Sequence, residues 1–320
     1  MGNWNVRDRN AGFADGQEQV WGFDTRTALS SLSFFAPGAK VFYVDPNNAQ
    51  AIDFGNLGED PTVPLATVTA AIVLCRAYMG DTIVVGANDA WQYAAGVRNT
   101  PIVESLVIPA AKGGIRIVGA SPNPMACTWS AAADNEYAIT VNATDVLIEG
   151  LCFYPLDTLA NTSGIASYWD GATDYGENLT VRNCFFDTSL DYGIALDFSW
   201  YARIYNNHFD NVSVAAIHNL SVEGDPDYSQ IYHNSFDDCA IAVDFPTTDF
   251  CYIFANRIHG TPAGVRNYFV IDDGGGSANL VSDNWFGCTL AQYAVTCEGG
   301  GNGAWVNNHC IDGDTVANAP

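Results

Sequence analysis

From residue 80 onward the apolar positions follow neither a helical period nor long unbroken runs. They come in bursts of two to five residues punctuated by Gly, Asn and Asp, as in TIVVG (82–86), IRIVG (115–119), RIYNNHF (203–209), QIYHNSF (230–236), YIFANRI (252–258) and LVSDNWF (280–286). Alternation of this kind, bounded by turn residues, predicts short β-strands. The bursts also repeat one another. An aliphatic anchor at Ile204, Ile231, Ile253 and Val281 is followed three residues on by Asn207, Asn234, Asn256 and Asn284. Two positions further stand Phe209, Phe236, Ile258 and Phe286. A weaker copy closes the series at Trp305, Asn308 and Cys310. Ile148 to Phe153 and Val181 to Phe186 keep the anchor and the aromatic but shift or lose the asparagine, and Ile117 and Ile83 are earlier anchors.

A second apolar series runs between the first, at Ile165, Ile194, Ile217, Ile241, Val270 and Val295, so each repeat holds at least two short strands. Successive anchors from Ile83 to Trp305 lie 34, 31, 33, 23, 27, 22, 28 and 24 residues apart. A period of that size, too short for one repeat to bury its own apolar face, predicts a parallel β-helix in which coils stack on one another. Stacked strands lie about 4.8 Å apart. Like positions then fall above one another, the asparagines predict a hydrogen-bonded ladder and the aromatics a filled tube.

Two segments stand outside the repeat. Residues 1–41 scatter Trp4, Phe13, Trp21, Phe23, Phe34 and Phe35 among Arg7, Arg9, Arg26 and Lys40 without a period. Such a stretch cannot form its own core, and the expectation is an extended attachment arm, held by another subunit or a partner through Trp4, Arg7, Arg9, Phe13, Trp21 and Phe23. Residues 42–80 carry a strand and one helical pattern. Pro61 and Pro64 favour a start, Val68, Ile72, Cys75 and Met79 make a stripe, and Gly80 is placed to stop it. A helix there would plug the open end of the tube, with the β-helix proper over 81–320.

The succession YVDP, PLATVTAAI, GDTIVV and then IxxNxF coils resembles the right-handed parallel β-helix proteins of the pectate-lyase-like superfamily over residues 42–320, and most of all the β-helix structural proteins of phages and other virions. The fold class implied is all-β, a right-handed parallel β-helix with an N-terminal capping helix and an extended arm. That fold hosts lyases, hydrolases, epimerases, tailspikes and adhesins, so the resemblance leaves the activity open.

Charge narrows the choice. Asp and Glu outnumber Lys and Arg by 36 to 12, a net charge of −24, which argues against nucleic-acid partners and against acidic sugars. A lyase face would need cations over the coils, where Arg182, Arg203 and Arg257 stand, but the regular region holds no lysine. No run is long enough to span a membrane. Nine scattered cysteines show no zinc spacing, and Cys251 and Cys310 fall at inward template positions, as core filling. MGNWNVRDRNAGF has no apolar leader core, so synthesis without export, in a host cytoplasm, is expected. The sequons at Asn142, Asn161, Asn178, Asn211 and Asn219 read as turn residues.

Three groups carry candidate chemistry. Asp187, Asp210 and Asp237 each directly follow the recurrent aromatic, so they stack along one edge. Unscreened carboxylates so placed repel unless one is protonated or a cation such as calcium sits between them; otherwise they are solvated turn residues. Asp197, Asp244, Asp272 and Asp273 form a less regular set, and the five histidines show no metal spacing. Tyr168 and Trp169, and Trp200 and Tyr201, sit in two aromatic-rich segments read as loops for sugar or subunit contact. Together these features predict a non-enzymatic structural virion protein, a capsid decoration or spike without a cofactor, attached to a capsid or other virion protein through its arm and assembled as a homo-oligomer, a trimer by resemblance. The alternative is a carbohydrate-active or receptor-binding β-helix working on a polysaccharide through the three aspartates.

Overall fold

The computed structural model describes residues 38–87, 101–156, 159–167, 176–219, 225–245, 248–259, 267–271, 278–287, 297–299, 303–310 and 315–316; for 267–271, 297–299 and 315–316 the description is of the backbone only. The arm residues Trp4, Arg7, Arg9, Phe13, Trp21 and Phe23 lie outside them, as do Tyr168, Trp169, Asp272 and Asp273.

Three sheets of ten, eight and ten strands run the length of the described chain. The first begins with Val41–Val44 and Thr82–Val85 and ends with Ala304–Val306; the second runs from Leu106–Ile108 to Cys297–Gly299; the third runs from Ile102–Val103 to Asn308–Cys310 and Thr315–Val316. Every pairing is parallel except the last, Asn308–Cys310 with Thr315–Val316. The chain visits the first, third and second sheets in turn before rising one coil. Because crossovers between parallel strands of one sheet are right-handed, the coils form a right-handed parallel β-helix.

The expected anchors are in register throughout, from Ile83 opposite Ile117 to Val281 opposite Trp305. The aromatics form one inward column on the third sheet. Phe153, Phe186, Phe209 and Phe236 stack with centroids 5.2, 4.6 and 5.0 Å apart, and Ile258 and Phe286 continue the column. All are buried. The tube is narrow enough that Gly164 and Gly193, on the second sheet, leave the room these rings fill. A Cβ on Gly193 would sit 2.7 Å from Phe209 Cε1 and 2.6 Å from the Ala216 carbonyl.

Each repeated phrase makes two strands, not one. Between anchor and aromatic the chain turns from the first sheet to the third through a residue in the left-handed region, Asn206 (φ 56), His233 (φ 55), Ala255 (φ 53) or Asp283 (φ 56). The asparagine after it is buried and completes the turn. Asn234 Nδ2 donates to the Ile204 carbonyl (2.9 Å) and to Asn256 Oδ1 (3.0 Å), and its own Oδ1 accepts from Asn207 N and Nδ2. The same bonds recur from Asn207 to Asn308, so a buried polar column is internally satisfied. Cys184 takes the ladder position one coil earlier and donates its N–H to Asn207 Oδ1.

Two sequence expectations shift. The helix is Val68–Leu74, capped by the Thr67 side chain accepting from Ala70 N, with Glu104 accepting from the Val68 and Thr69 N–H groups. It ends at Cys75, not Gly80. Arg76 is drawn away to Asp81, whose buried carboxylate takes Arg76 N, Nε and Nη2 and Lys40 N, while Gly80 (φ 70) makes the turn before the next strand. Val68, Ala71 and Ile72 still close the core at this end. In the second sheet, Ile217 faces Val243 and then Phe269, displacing the expected anchors Ile241 by two residues and Val270 by one; Val295 lies outside the described residues.

Candidate functional site

Strand parity turns the residues flanking each inward aromatic of the third sheet outward. One outer column is Phe185, His208, Ser235, Arg257 and Trp285; beside it runs Asp187, Asp210, Asp237, His259 and Gly287. The three aspartates predicted to stack do so, on consecutive coils of one open sheet face. Asp210 and Asp237 are the last residues of their strands, each followed by a left-handed turn residue, Asn211 (φ 52) or Asp238 (φ 50), and Asp187 directly follows the strand Phe185–Phe186. The sequence reading missed the column's next member. His259 occupies the same position after Ile258 and its Nδ1 lies 2.9 Å from Asp237 Oδ1.

Like charges in direct register disfavour ionisation. The Asp210 carboxyl is pushed above the ordinary carboxylate range, first by partial burial and then by Asp187, with Asp237 and Asp238 adding to it and His208 opposing. Asp187 Oδ1 accepts from Thr188 N (2.7 Å). The column therefore sets Asp210, whose carboxyl is raised, between two further aspartates, one of them in contact with an imidazole. Among the described residues no group of three or more His, Cys, Asp or Glu side chains is gathered to hold a metal ion.

A second histidine–aspartate pair lies on the outer face of the second sheet. His218 Nδ1 is 2.8 Å from Asp244 Oδ2, and the ring stacks on Tyr192 at 4.8 Å. The contact fixes the imidazole through Nδ1 and leaves Nε2 as its other proton-carrying atom. Both residues sit one place after the inward residue of their strand, Ile217 and Val243, so anchoring the repeat on Ile241 concealed the pairing. Asp197, just past the strand Tyr192–Leu196, is buried and lies outside the pair.

The segment 190–205 is not a loop. Tyr192–Leu196 and Arg203–Tyr205 are strands of the second and first sheets, with Trp200 and Tyr201 on the turn between them. Tyr201 is partly exposed and heads a stack with Tyr228 (5.2 Å) and Phe250 (5.1 Å), all three in the left-handed backbone region. A second outer stack, Tyr205, Tyr232 and Phe254, runs along the first sheet beneath Arg182, which bridges Glu149 and the Tyr205 hydroxyl. The middle rings, Tyr228 and Tyr232, have both faces covered by their neighbours, so the two columns contribute coil-to-coil packing.

No protein-family model and no curated protein matches the sequence. Among solved structures the chain is similar to the Dettilon tailspike protein gp208, with 13% identity over 85% of this chain and 62% of that one and a TM-score of 0.44. It is similar to a GH136 lacto-N-biosidase from Eubacterium ramulus (12% identity, 85% and 67% covered, TM-score 0.37). A third is tailspike protein gp49 of the Acinetobacter baumannii bacteriophage Fri1, a capsular polysaccharide depolymerase (10% identity, 88% and 63% covered, TM-score 0.31). The chain thus spans 62% of the length of the first of these, and it is the strand register above that makes it a parallel β-helix.

Proposed function

We propose that the protein is a carbohydrate-active β-helix that hydrolyses a polysaccharide on the outer face of its third sheet. One observation carries the reading: Asp187, Asp210 and Asp237 are held in register on consecutive coils, with the middle carboxyl raised above its ordinary range. Glycoside hydrolysis asks for two carboxyls flanking the scissile bond, one to give a proton and one to act as the carboxylate, and the raised Asp210 is suited to the first part. Asp210 is the acid and protonates the leaving glycosidic oxygen as the C–O bond breaks. Asp237, hydrogen-bonded to His259, is the partner carboxylate. Adjacent coils put their strands about 4.8 Å apart, close to the ~5–5.5 Å between carboxyl groups of a double-displacement pair, in which Asp237 attacks the anomeric carbon and Asp210, now a base, activates the water that releases the sugar.

A hydrolase is favoured over a lyase because the third-sheet face brings Arg257 and three carboxylates together, a poor surface for uronic acids. The virion setting belongs to the same proposal: a spike component attached through residues 1–41, whose aromatics and four of the chain's twelve Lys and Arg supply anchors. Homo-oligomeric assembly, as a trimer, goes with that setting.

The test is a reducing-sugar assay on a panel of bacterial polysaccharides, with absorbance of unsaturated uronates followed in parallel. Turnover without unsaturated product, lost in Asp210→Asn, is expected. Unsaturated product, or turnover untouched by that substitution, contradicts the reading. Replacing Trp4 and Trp21 by Ala is expected to leave turnover intact and to abolish attachment to particles.

A further inference from the structure

The strand Val41–Val44 is the first of its sheet, so one of its edges has no coil beneath it. Residues 45–67 fold back to close that edge. Tyr43 N donates to the Gly58 carbonyl (2.7 Å), Leu65 N to the Tyr43 carbonyl (2.8 Å) and Asp45 N to the Leu65 carbonyl (3.0 Å). An unpaired strand edge invites association, and the chain covers this one with its own backbone. Within the loop the polar side chains go to holding its shape. Asn56 Nδ2 donates to the Ile52, Val63 and Pro64 carbonyls and Asn56 Oδ1 accepts from Gly58 N, while Asp53 accepts from Ala66 N, Thr67 N and Thr67 Oγ1. The large apolar side chains go the other way. Phe54 is 93% exposed, Leu57 67% and Ile52 49%, in a run, 38–87, that is described without a break. Single exposed apolar residues are ordinary on a protein surface; three in one pinned loop are not.

We infer that this loop is a docking knob on the folded body, and that its occupant is a different protein, one presenting an apolar hollow edged with lysine or arginine. The inference shares the virion setting proposed above but rests on residues outside the attachment arm. A loop already fixed by its own hydrogen bonds loses little conformational freedom on binding, which is what a preformed apolar anchor requires. Charge then selects the occupant. Asp45, Asp53, Glu59 and Asp60 all lie on the loop, and the cation that reaches it among the described residues, Lys40, is engaged by Glu59. A second copy would bring the same acids on a chain of net charge −24, and an anionic membrane surface is repelled in the same way. A cationic rim around an apolar hollow is attracted by the acids and buries Phe54.

The experiment places a photoreactive benzoylphenylalanine at position 54 of the full chain, irradiates it in the cells that produce it and on particles, and sequences the joined peptide. A join to a protein other than this chain, in a peptide holding Lys or Arg, is expected. Phe54→Ala, with an unchanged melting temperature, is expected to weaken attachment to particles roughly thirtyfold. Asp60→Asn keeps an acceptor for the Thr62 N–H and hydroxyl but removes the charge. It is expected to weaken attachment about threefold at low salt and not at high salt. A join to a second copy, to lipid or within the chain, no join at all, or a loss in Asp60→Asn that persists at high salt overturns the knob. Should position 54 join such a protein in cells while no particle carries the chain, the knob stands and the virion setting falls. Should particles hold Phe54→Ala as firmly as the native chain, the setting stands and the knob falls.

Discussion

Phe209 and Asp210 are neighbours in one strand of the third sheet, and each faces its own kind on the coils above and below. Inward, register places Phe209 between Phe186 and Phe236, where repetition adds apolar contact. Outward, the same register places Asp210 between Asp187 and Asp237, where repetition adds repulsion and raises the Asp210 carboxyl. The solenoid imposes likeness on both faces but only one face gains from it. An inner column of identical residues needs no further explanation; an outer column of like charges stacked at the strand ends is a cost, and a cost of that kind marks a site.

The sharpest way to break the comparison is from the inside. Phe209→Ala removes the middle of the ring column and is expected to cost about 3–5 kcal/mol, read as a lowered denaturation midpoint. Asn234→Ala strips partners from Asn207, Asn256 and the Ile204 carbonyl, all buried, and is expected to cost about 2–4 kcal/mol through groups left unsatisfied. Gly193→Ala drives a methyl against Phe209 and the Ala216 carbonyl, with an expected loss of about 1–3 kcal/mol. If any of the three is neutral, the interior is not packed by register as described.

The repeat was legible because stacking forces like residues to like positions. Anchors, asparagines and aromatics on the first and third sheets could be aligned by eye, since the turn between them is of fixed length. The second sheet resisted because the loop leading to it is not. From the inward third-sheet residue to the residue in register on the second sheet the chain takes eight residues for Phe186 to Ile194 and for Phe209 to Ile217, seven for Phe236 to Val243 and eleven for Ile258 to Phe269. Ile241 and Val243 are both β-branched with the same parity, so nothing local chooses between them; cross-coil pairing does. That slip hid His218 and Asp244 as partners. His259 was missed for a different reason: the column was followed by residue type, and a histidine in an aspartate's place carries no compositional signal. The helix end was overrun because the apolar stripe continues to Met79, while the buried demand of Asp81 for the Arg76 N–H and guanidinium stops the helix at Leu74.

Asp81 and Asp210 also respond oppositely to pH. Burial opposes ionisation of Asp81, but the Arg76 guanidinium together with the Lys40 and Arg76 N–H groups outweighs it, and the carboxyl sits below its ordinary value. Stability from Asp81 is present above the unfolded carboxylate pKa and is lost as pH falls through the lower folded one. Asp81→Asn is therefore expected to lower the melting temperature at pH 7 and to shrink the further loss on acidification.

For Asp210 the folded carboxyl is the higher of the two, so the folded state holds its proton longer than the unfolded chain, and stability declines as pH rises from the unfolded value through the folded one. Unfolding of the native chain and of Asp210→Asn, measured side by side from pH 3 to pH 8, addresses the outer column directly. The account predicts near-equal stability at the acid end and an advantage to Asp210→Asn that grows with pH and then levels off, in a protein that no longer cleaves its polysaccharide. An Asp210→Asn chain equal to or weaker than the native one at pH 7 would contradict it.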